Sequence, residues 1–167
     1  MWMLGILTLL VGCDHATKFA AKSQLEGGPP HSLVRGLVDL QYVENRDLAF
    51  NLLRWLPEKV RGPALLVVGA VGVLAIAALL LRRRPQRPVV RVALTAILAG
   101  ALGNCVDRLF RGYVVDFVHV HHWPVFNVAD AYVTAGAVLL ALLLFTGAGA
   151  SPGRPPDAAR AGAATPP

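Results

Sequence analysis

Residues 62–81 read GPALLVVGAVGVLAIAALLL, a run of twenty positions without one charged side chain. At about 1.5 Å per residue, a helix of that length reaches roughly 30 Å, the thickness of the hydrocarbon core of a bilayer. The stretch therefore reads as a membrane span, and the rest of the chain is read against it.

Three further apolar runs share its length. The first covers about 1–21 and is interrupted by Asp14 and Lys18; the next, about 89–110, carries Asn104, Asp107 and Arg108 near its end; the last covers about 129–146. Residues 1–147 are thus expected to form one four-span membrane domain. Residues 148–167, rich in Gly, Pro and Ala, are expected to be a disordered cytoplasmic tail. Composition agrees with a lipid solvent. Hydrophobic residues make up 55% before the 16 glycines are counted, whereas soluble domains reach roughly 45–50% with glycine included. Charged residues are 16%, against about 25% ordinarily. The net charge of +6 is not gathered into a basic stripe interleaved with aromatics, so no nucleic-acid partner is expected. Cys13 and Cys105 are too few for a disulfide framework.

Cationic loops set the orientation, because Lys and Arg beside a span are retained in the cytoplasm. The connection after residue 81, RRRPQRPVVR, carries Arg82, Arg83, Arg84, Arg87 and Arg91 and is expected inside. The longer connection from about 22 to 61 mixes basic residues with Glu26, Asp39, Glu44, Asp47 and Glu58 and is expected outside. Both termini are then cytoplasmic. This topology brings Asp14, Lys18, Asn104, Asp107, Arg108, Asp116, Asn127 and Asp130 to one leaflet boundary. A single such residue is readily an interfacial cap or a snorkelling side chain. A group of carboxylates and amides at one depth points to a polar site, since ionisable groups within a membrane face a cavity or one another.

Elimination narrows the chemistry. Ser23, Ser32 and Ser151 all lie outside the spans, and none sits in a Gly-x-Ser-x-Gly elbow. No His-Glu-x-x-His occurs. His119 and His121 would share one face of a strand and invite a metal reading, but solvated imidazoles in an interfacial loop account for them better. Carboxylate chemistry remains. Two aspartates sharing one proton can act without a cofactor, the ionised one as base toward water and the protonated one as acid toward the substrate.

Five segments occur in order along these spans: Asp14-His15-Ala16-Thr17-Lys18, Asn45-Arg46-Asp47-Leu48-Ala49-Phe50, Gly103-Asn104-Cys105-Val106-Asp107-Arg108, Val115-Asp116-Phe117 and Phe126-Asn127-Val128-Ala129-Asp130. Together they resemble the lipoprotein signal peptidase (signal peptidase II) family of bacterial intramembrane aspartic proteases, over about residues 10–145. The resemblance implies a membrane all-α fold of four transmembrane helices, with a small extracytoplasmic β-sheet cradle between helices one and two. It implies an aspartic endopeptidase of the bacterial inner membrane, active at the outer leaflet, without metal or organic cofactor. The implied partners are membrane lipids and a prolipoprotein bearing a diacylglyceryl-cysteine, cut just before that cysteine; the enzyme is expected to be a monomer.

Residue by residue, the resemblance makes Asp116 and Asp130 the catalytic pair. Asn104, Asp107 and Arg108 match residues that shape the site, and their spacing places them on one helix face. Asp14 and Lys18 match a first-span motif expected to hold that helix through polar contacts. Asn45 matches a substrate-side asparagine, and Asn127 either caps span four or orients the pair.

One position departs from the family pattern: Asp47 stands where glycine is usual, which puts the shape of that loop in question. It is also the only hint of the alternative, a catalytically silent relative that binds lipidated proteins or lipids without cleaving them. A further competing reading takes Leu10-Val11-Gly12-Cys13 as a lipobox of the chain itself, but that segment has no preceding Lys or Arg and three more spans follow. Within GLVDLQYV, Val38, Leu40 and Tyr42 alternate with Leu37, Asp39 and Gln41, as a strand with one packed face would. Trp55, beside Leu52, Leu53 and Leu56, and Trp123 are expected to be aromatic anchors at the membrane interface.

Overall fold

The computed structural model describes residues 2–47, 55–82 and 87–146. The expected tail, 148–167, lies outside the described residues, as do Leu48, Ala49 and Phe50 of the second motif, Leu52 and Leu53, and Arg83 and Arg84.

Among the described residues, four helices are long and apolar enough to cross a membrane: α1 (Trp2–Leu25), α2 (Glu58–Leu81), α3 (Pro88–Arg111) and α4 (Val128–Phe145). Each runs within four residues of the hydropathy estimate, the largest differences being α1, which continues past residue 21 to Leu25, and α2, which begins at Glu58 rather than 62. The termini of the helices follow local chemistry. Pro88 opens α3, where its missing N–H is no loss. Gly112 closes α3 in the left-handed conformation at φ 79°, with its N–H bonded to the Arg108 carbonyl. α4 begins at a capping box: the Asn127 side chain accepts from the Asp130 N–H, and the Asp130 carboxylate accepts from the Asn127 N–H.

α3 is the hub. It packs on α1, α2 and α4, and it carries most of the buried helical positions, among them Ala93, Leu94, Leu98, Ala99, Gly100 and Gly103. Small residues let the backbones close in, the usual device where lipid and side chain are equally apolar. A Cβ on Gly100 would strike the Ala129 carbonyl oxygen, and one on Gly136 would lie 2.6 Å from the Ala93 carbonyl oxygen. The outward faces are apolar and exposed, as for Val67, Val68, Val71 and Leu74 of α2, and Leu142 and Leu144 of α4. A lipid-facing surface of a multi-pass membrane protein has this character.

The sheet is antiparallel with the order β1-β2-β3: β1 (His31–Val34), β2 (Val38–Asn45) and β3 (Val114–Val120). Two strands lie between α1 and α2 as expected. The third, β3, comes from the connection between α3 and α4, where the sequence pattern predicts an interfacial loop. Leu40, Tyr42 and Phe117 gather on Ala21 and Leu25 at the end of α1, seating the sheet on the bundle. The alternation expected of β2 is blurred, since both of its faces are partly covered. A shift of register between Leu40 and Val43 brings Val43 opposite Asp116 and Asn45 opposite Val114.

Candidate active site

The sheet-side ends of the helices enclose a cavity of about 390 Å³, whose lining includes Asn45, Asp47, Asn104, Arg108, Asp116 and Asp130. Each of these side chains arrives on a different local device. Asp116 stands third in β3, opposite Val43. Asn45 ends β2 beside it. Asp130 is held at the third position of α4 by the capping box, and Asn104 and Arg108 project from the last two turns of α3.

Three asparagine amides converge on the two carboxylates. Asn45 Nδ2 donates to Asp116 Oδ2 at 2.8 Å, and Asn127 Nδ2 donates to Asp116 Oδ1 at 2.6 Å. Asn104 Nδ2 donates to Asp130 Oδ1 at 2.8 Å, while the Asn127 backbone N–H donates to Asp130 Oδ2 at 3.2 Å. Every amide is oriented by what its oxygen accepts. Asn45 Oδ1 takes the Asp47 N–H at 2.9 Å, Asn127 Oδ1 takes the Asp130 N–H at 3.0 Å, and Asn104 Oδ1 takes Lys18 Nζ at 3.0 Å. With the oxygens so occupied, only the NH2 ends are available to the carboxylates. Asn127 therefore does both things that the sequence left open: it caps α4 and it bridges the pair.

Behind this layer lies a buried ionic cluster. Lys18, fully buried, sits 2.8 Å from Asp14 and 2.9 Å from Asp107. Asp107 also pairs with Arg111 at 2.6 Å. Asp14 Oδ1 accepts the Ala129 N–H at 2.9 Å, so α1 is tied to the first turn of α4 as well as to α3. A lone buried charge would be prohibitively unfavourable, and a cluster of alternating sign satisfies each member. Arg108 reaches across to the Asp47 carbonyl at 3.4 Å.

Burial pushes the Asp116 carboxyl up to about 6 from its ordinary 3.8; the charge of Asp130 adds to this, and the amides of Asn45 and Asn127 and the charge of Lys18 oppose it. Such an acid holds its proton well above the ordinary carboxylate range.

All nine residues singled out from the sequence thus fall in one connected region, six at the cavity or touching a carboxylate of the pair and Asp14, Lys18 and Asp107 in the cluster behind. The sequence reading missed two features. Trp123, read only as an interface anchor, lines the cavity with Pro124, Val125 and Phe126; its place just before the last motif was the available signal. Arg61 pairs with Asp47 at 3.2 Å, which no motif announced. His119 lies 3.9 Å from Asp39 across the sheet, and His121, beyond the end of β3, packs against the His122 ring at 4.0 Å between centroids.

Fold and cavity together define a multi-pass membrane protein with two carboxylates, Asp116 buried and Asp130 half-buried, at one end of its bundle. A family model described as signal peptidase (SPase) II matches residues 6–146. The chain is 40% identical over 150 residues to the lipoprotein signal peptidase of Paraburkholderia phytofirmans, covering 83% of this chain and 81% of that one. It is 38% identical over 151 residues to that of Rhodococcus jostii (85% and 71%), and 34% identical over 146 residues to that of Clostridium acetobutylicum (83% and 92%). Two solved bacterial membrane enzymes, determined by the in meso method at 2.3 and 1.9 Å, share the fold. Their TM-scores are 0.79 and 0.73 at 22% and 24% identity, covering 92% and 85% of this chain and 93% and 91% of theirs. The chain belongs to the signal peptidase II family and is a peptidase.

Proposed function

We propose that this peptidase removes the signal peptides of bacterial prolipoproteins by an aspartic mechanism, with Asp116 and Asp130 as the catalytic pair. The observation that carries the reading is the ring of three amides whose NH2 groups all face these two carboxylates. Two acids so close cannot both ionise readily, so one proton is shared between them. The ionised member takes a proton from a water molecule as its oxygen attacks the scissile carbonyl carbon. The protonated member gives its proton to the carbonyl oxygen, forming a tetrahedral diol. Collapse then breaks the C–N bond: the member now protonated gives its proton to the leaving amine while the other takes one from a diol hydroxyl as the carbonyl re-forms, so that the pair ends with the single proton it began with.

The substrate class follows from the relatives and from where the pair lies. A prolipoprotein whose lipobox cysteine carries a diacylglyceryl group holds its acyl chains and apolar signal helix in the lipid, which places the bond before that cysteine at a leaflet boundary. With the arginine-rich connection between α2 and α3 in the cytoplasm, both termini are cytoplasmic, and the pair lies at the outer leaflet of the inner membrane. In this reading the enzyme works as a monomer. Asn45, Asn104 and Asn127 hold the pair; Arg108 and Asp47 border the substrate; Asp14, Lys18 and Asp107 support the helices that carry it.

The test is cleavage of a diacylglyceryl-modified prolipoprotein by the purified protein in nanodiscs, beside Asp116→Asn and Asp130→Asn. Cutting before the modified cysteine by the wild type alone is the expected result. Activity retained by either variant would remove that residue from the pair.

A further inference from the structure

Asp47, which occupies a position where the family usually has glycine, is 5% exposed and lies on the cavity wall. Three of its groups are engaged. Its N–H donates to Asn45 Oδ1 at 2.9 Å, its carbonyl accepts from Arg108 at 3.4 Å, and its carboxylate pairs with Arg61 Nη1 at 3.2 Å. Arg61 stands in the first turn of α2 and also donates to the Leu56 carbonyl at 3.0 Å. A side chain at residue 47 thereby links the end of β2 to the start of α2.

The bond from the Asp47 N–H to Asn45 Oδ1 is an Asx turn, the local arrangement that Asn readily forms with the backbone two residues on. It settles which way the Asn45 amide faces. With the oxygen turned back to residue 47, the NH2 points at Asp116 Oδ2. A glycine at 47 would offer the same N–H but no anchor for it. Here an ion pair between the buried Asp47 and the half-buried Arg61 supplies the anchor, and breaking it from the arginine side strands a buried acid.

We propose that the Asp47–Arg61 ion pair is a positioning device for the reaction: it holds the Asx turn that aims the Asn45 amide at Asp116. Among the contacts of the described residues, Arg61 meets Asp47 and the Leu56 carbonyl rather than a carboxylate of the pair, so its route to Asp116 runs through residues 47 and 45. The inference rests on Asp116 being catalytic.

The charged groups that act on Asp116 are Asp130 from α4, which raises its proton affinity, and Lys18 from α1, which lowers it, alongside the amides of Asn45 and Asn127. Arg108 of α3 borders the same cavity and its charge also acts on Asp116. Loss of the Asn45 bond favours the protonated carboxyl, so the alkaline limb of the kcat/KM profile moves to higher pH.

The experiment is a double-mutant cycle of Arg61→Gln and Asn45→Ala in the full chain in nanodiscs, with the lipid-modified substrate, kcat, KM and pH profiles, and a thermal midpoint for each variant. Asp47→Asn serves as the second route to breaking the pair, since it leaves no unpartnered buried acid. Each single variant is expected to raise the alkaline limb and to lower kcat more than it changes KM, by up to about a hundredfold, the size expected for roughly an ångström of misplacement. In the Asn45→Ala background, Arg61→Gln is expected to move the limb no further. A limb unmoved by Arg61→Gln and by Asp47→Asn, or shifts that simply add to that of Asn45→Ala, would overturn the proposal and leave the ion pair a fastening of the fold. Full activity in Asp116→Asn, run alongside, would instead sink the catalytic reading itself.

Discussion

Lys18 Nζ donates to Asn104 Oδ1 across 3.0 Å, and this bond decides which end of the Asn104 amide meets Asp130. The lysine belongs to α1, the asparagine to α3 and the aspartate to α4, so one ammonium group sets the register of three helices around the site. Its other two partners, Asp14 and Asp107, are nearly or fully buried. Lys18→Met keeps the length of the side chain and removes the charge. The variant is expected to lose about 3–5 kcal/mol of stability, because two acids lose the cation between them. Asn104→Ala removes a neutral group and is expected to lose far less stability while losing comparable activity. Thermal midpoints in one detergent, read beside cleavage rates, check both.

The raised Asp116 carboxyl makes stability depend on pH in a stated direction. Its folded value of about 6 stands above the ordinary 3.8, so the folded chain binds the proton more tightly than the unfolded chain. The stabilisation from this group is complete below about pH 4 and is lost as pH rises through about 6, on the order of 3 kcal/mol in all. Asp116→Asn removes the titration. The slope of the thermal midpoint between about pH 4 and 6 is expected to flatten in that variant relative to the wild type. In the wild type, the kcat/KM profile is expected to fall as pH rises through the same region, where the last proton leaves the pair.

Packing at the α3–α4 seam gives a prediction that involves no charged group. A Cβ at Gly100 would meet the carbonyl oxygen of Ala129 and, at 2.7 Å, the Cγ2 of Val133. Neither a backbone carbonyl nor a packed β-branched side chain yields easily, so α4 must move, and Ala129 is the neighbour of Asp130. Gly100→Ala is expected to cost about 1–3 kcal/mol and to depress kcat by displacing Asp130. Gly72→Ala, where an added Cβ meets nothing within 4 Å, is the control and is expected to leave stability and activity unchanged.

The spans were legible because hydropathy is a property of composition: a bilayer reads the same apolar run wherever it lies in the chain. The carboxylates and asparagines were legible because polar groups at one depth of a membrane are costly enough to stand out. The third strand was not. VVDFVHV, residues 114–120, pairs with residues 38–45, and neither segment carries a mark of so distant a partner. The same holds for Lys18 and Asn104, 86 positions apart, and for Arg61 and Asp47, whose contact depends on where α2 begins. The Asn127 question stayed open for a different reason. Capping and bridging use opposite ends of one amide, so a sequence argument that treats them as rivals has no way to see that both are satisfied.

That division of labour within Asn127 can be separated by substitution. Its oxygen accepts the Asp130 N–H at 3.0 Å and begins α4; its NH2 reaches Asp116 at 2.6 Å and Asn104 at 3.2 Å. Serine is as good a cap as asparagine but has no second group to extend toward Asp116. Asn127→Ser is therefore expected to keep the thermal midpoint of the wild type while cleavage falls by about ten- to a hundredfold, the effect of about 1.5–3 kcal/mol for a lost bond to a charged group. Asn127→Ala is expected to lose that activity and, in addition, about 1 kcal/mol of stability with the cap. Should the serine variant cleave at the rate of the wild type, the bond to Asp116 serves the fold alone and the amide has no part in holding the pair.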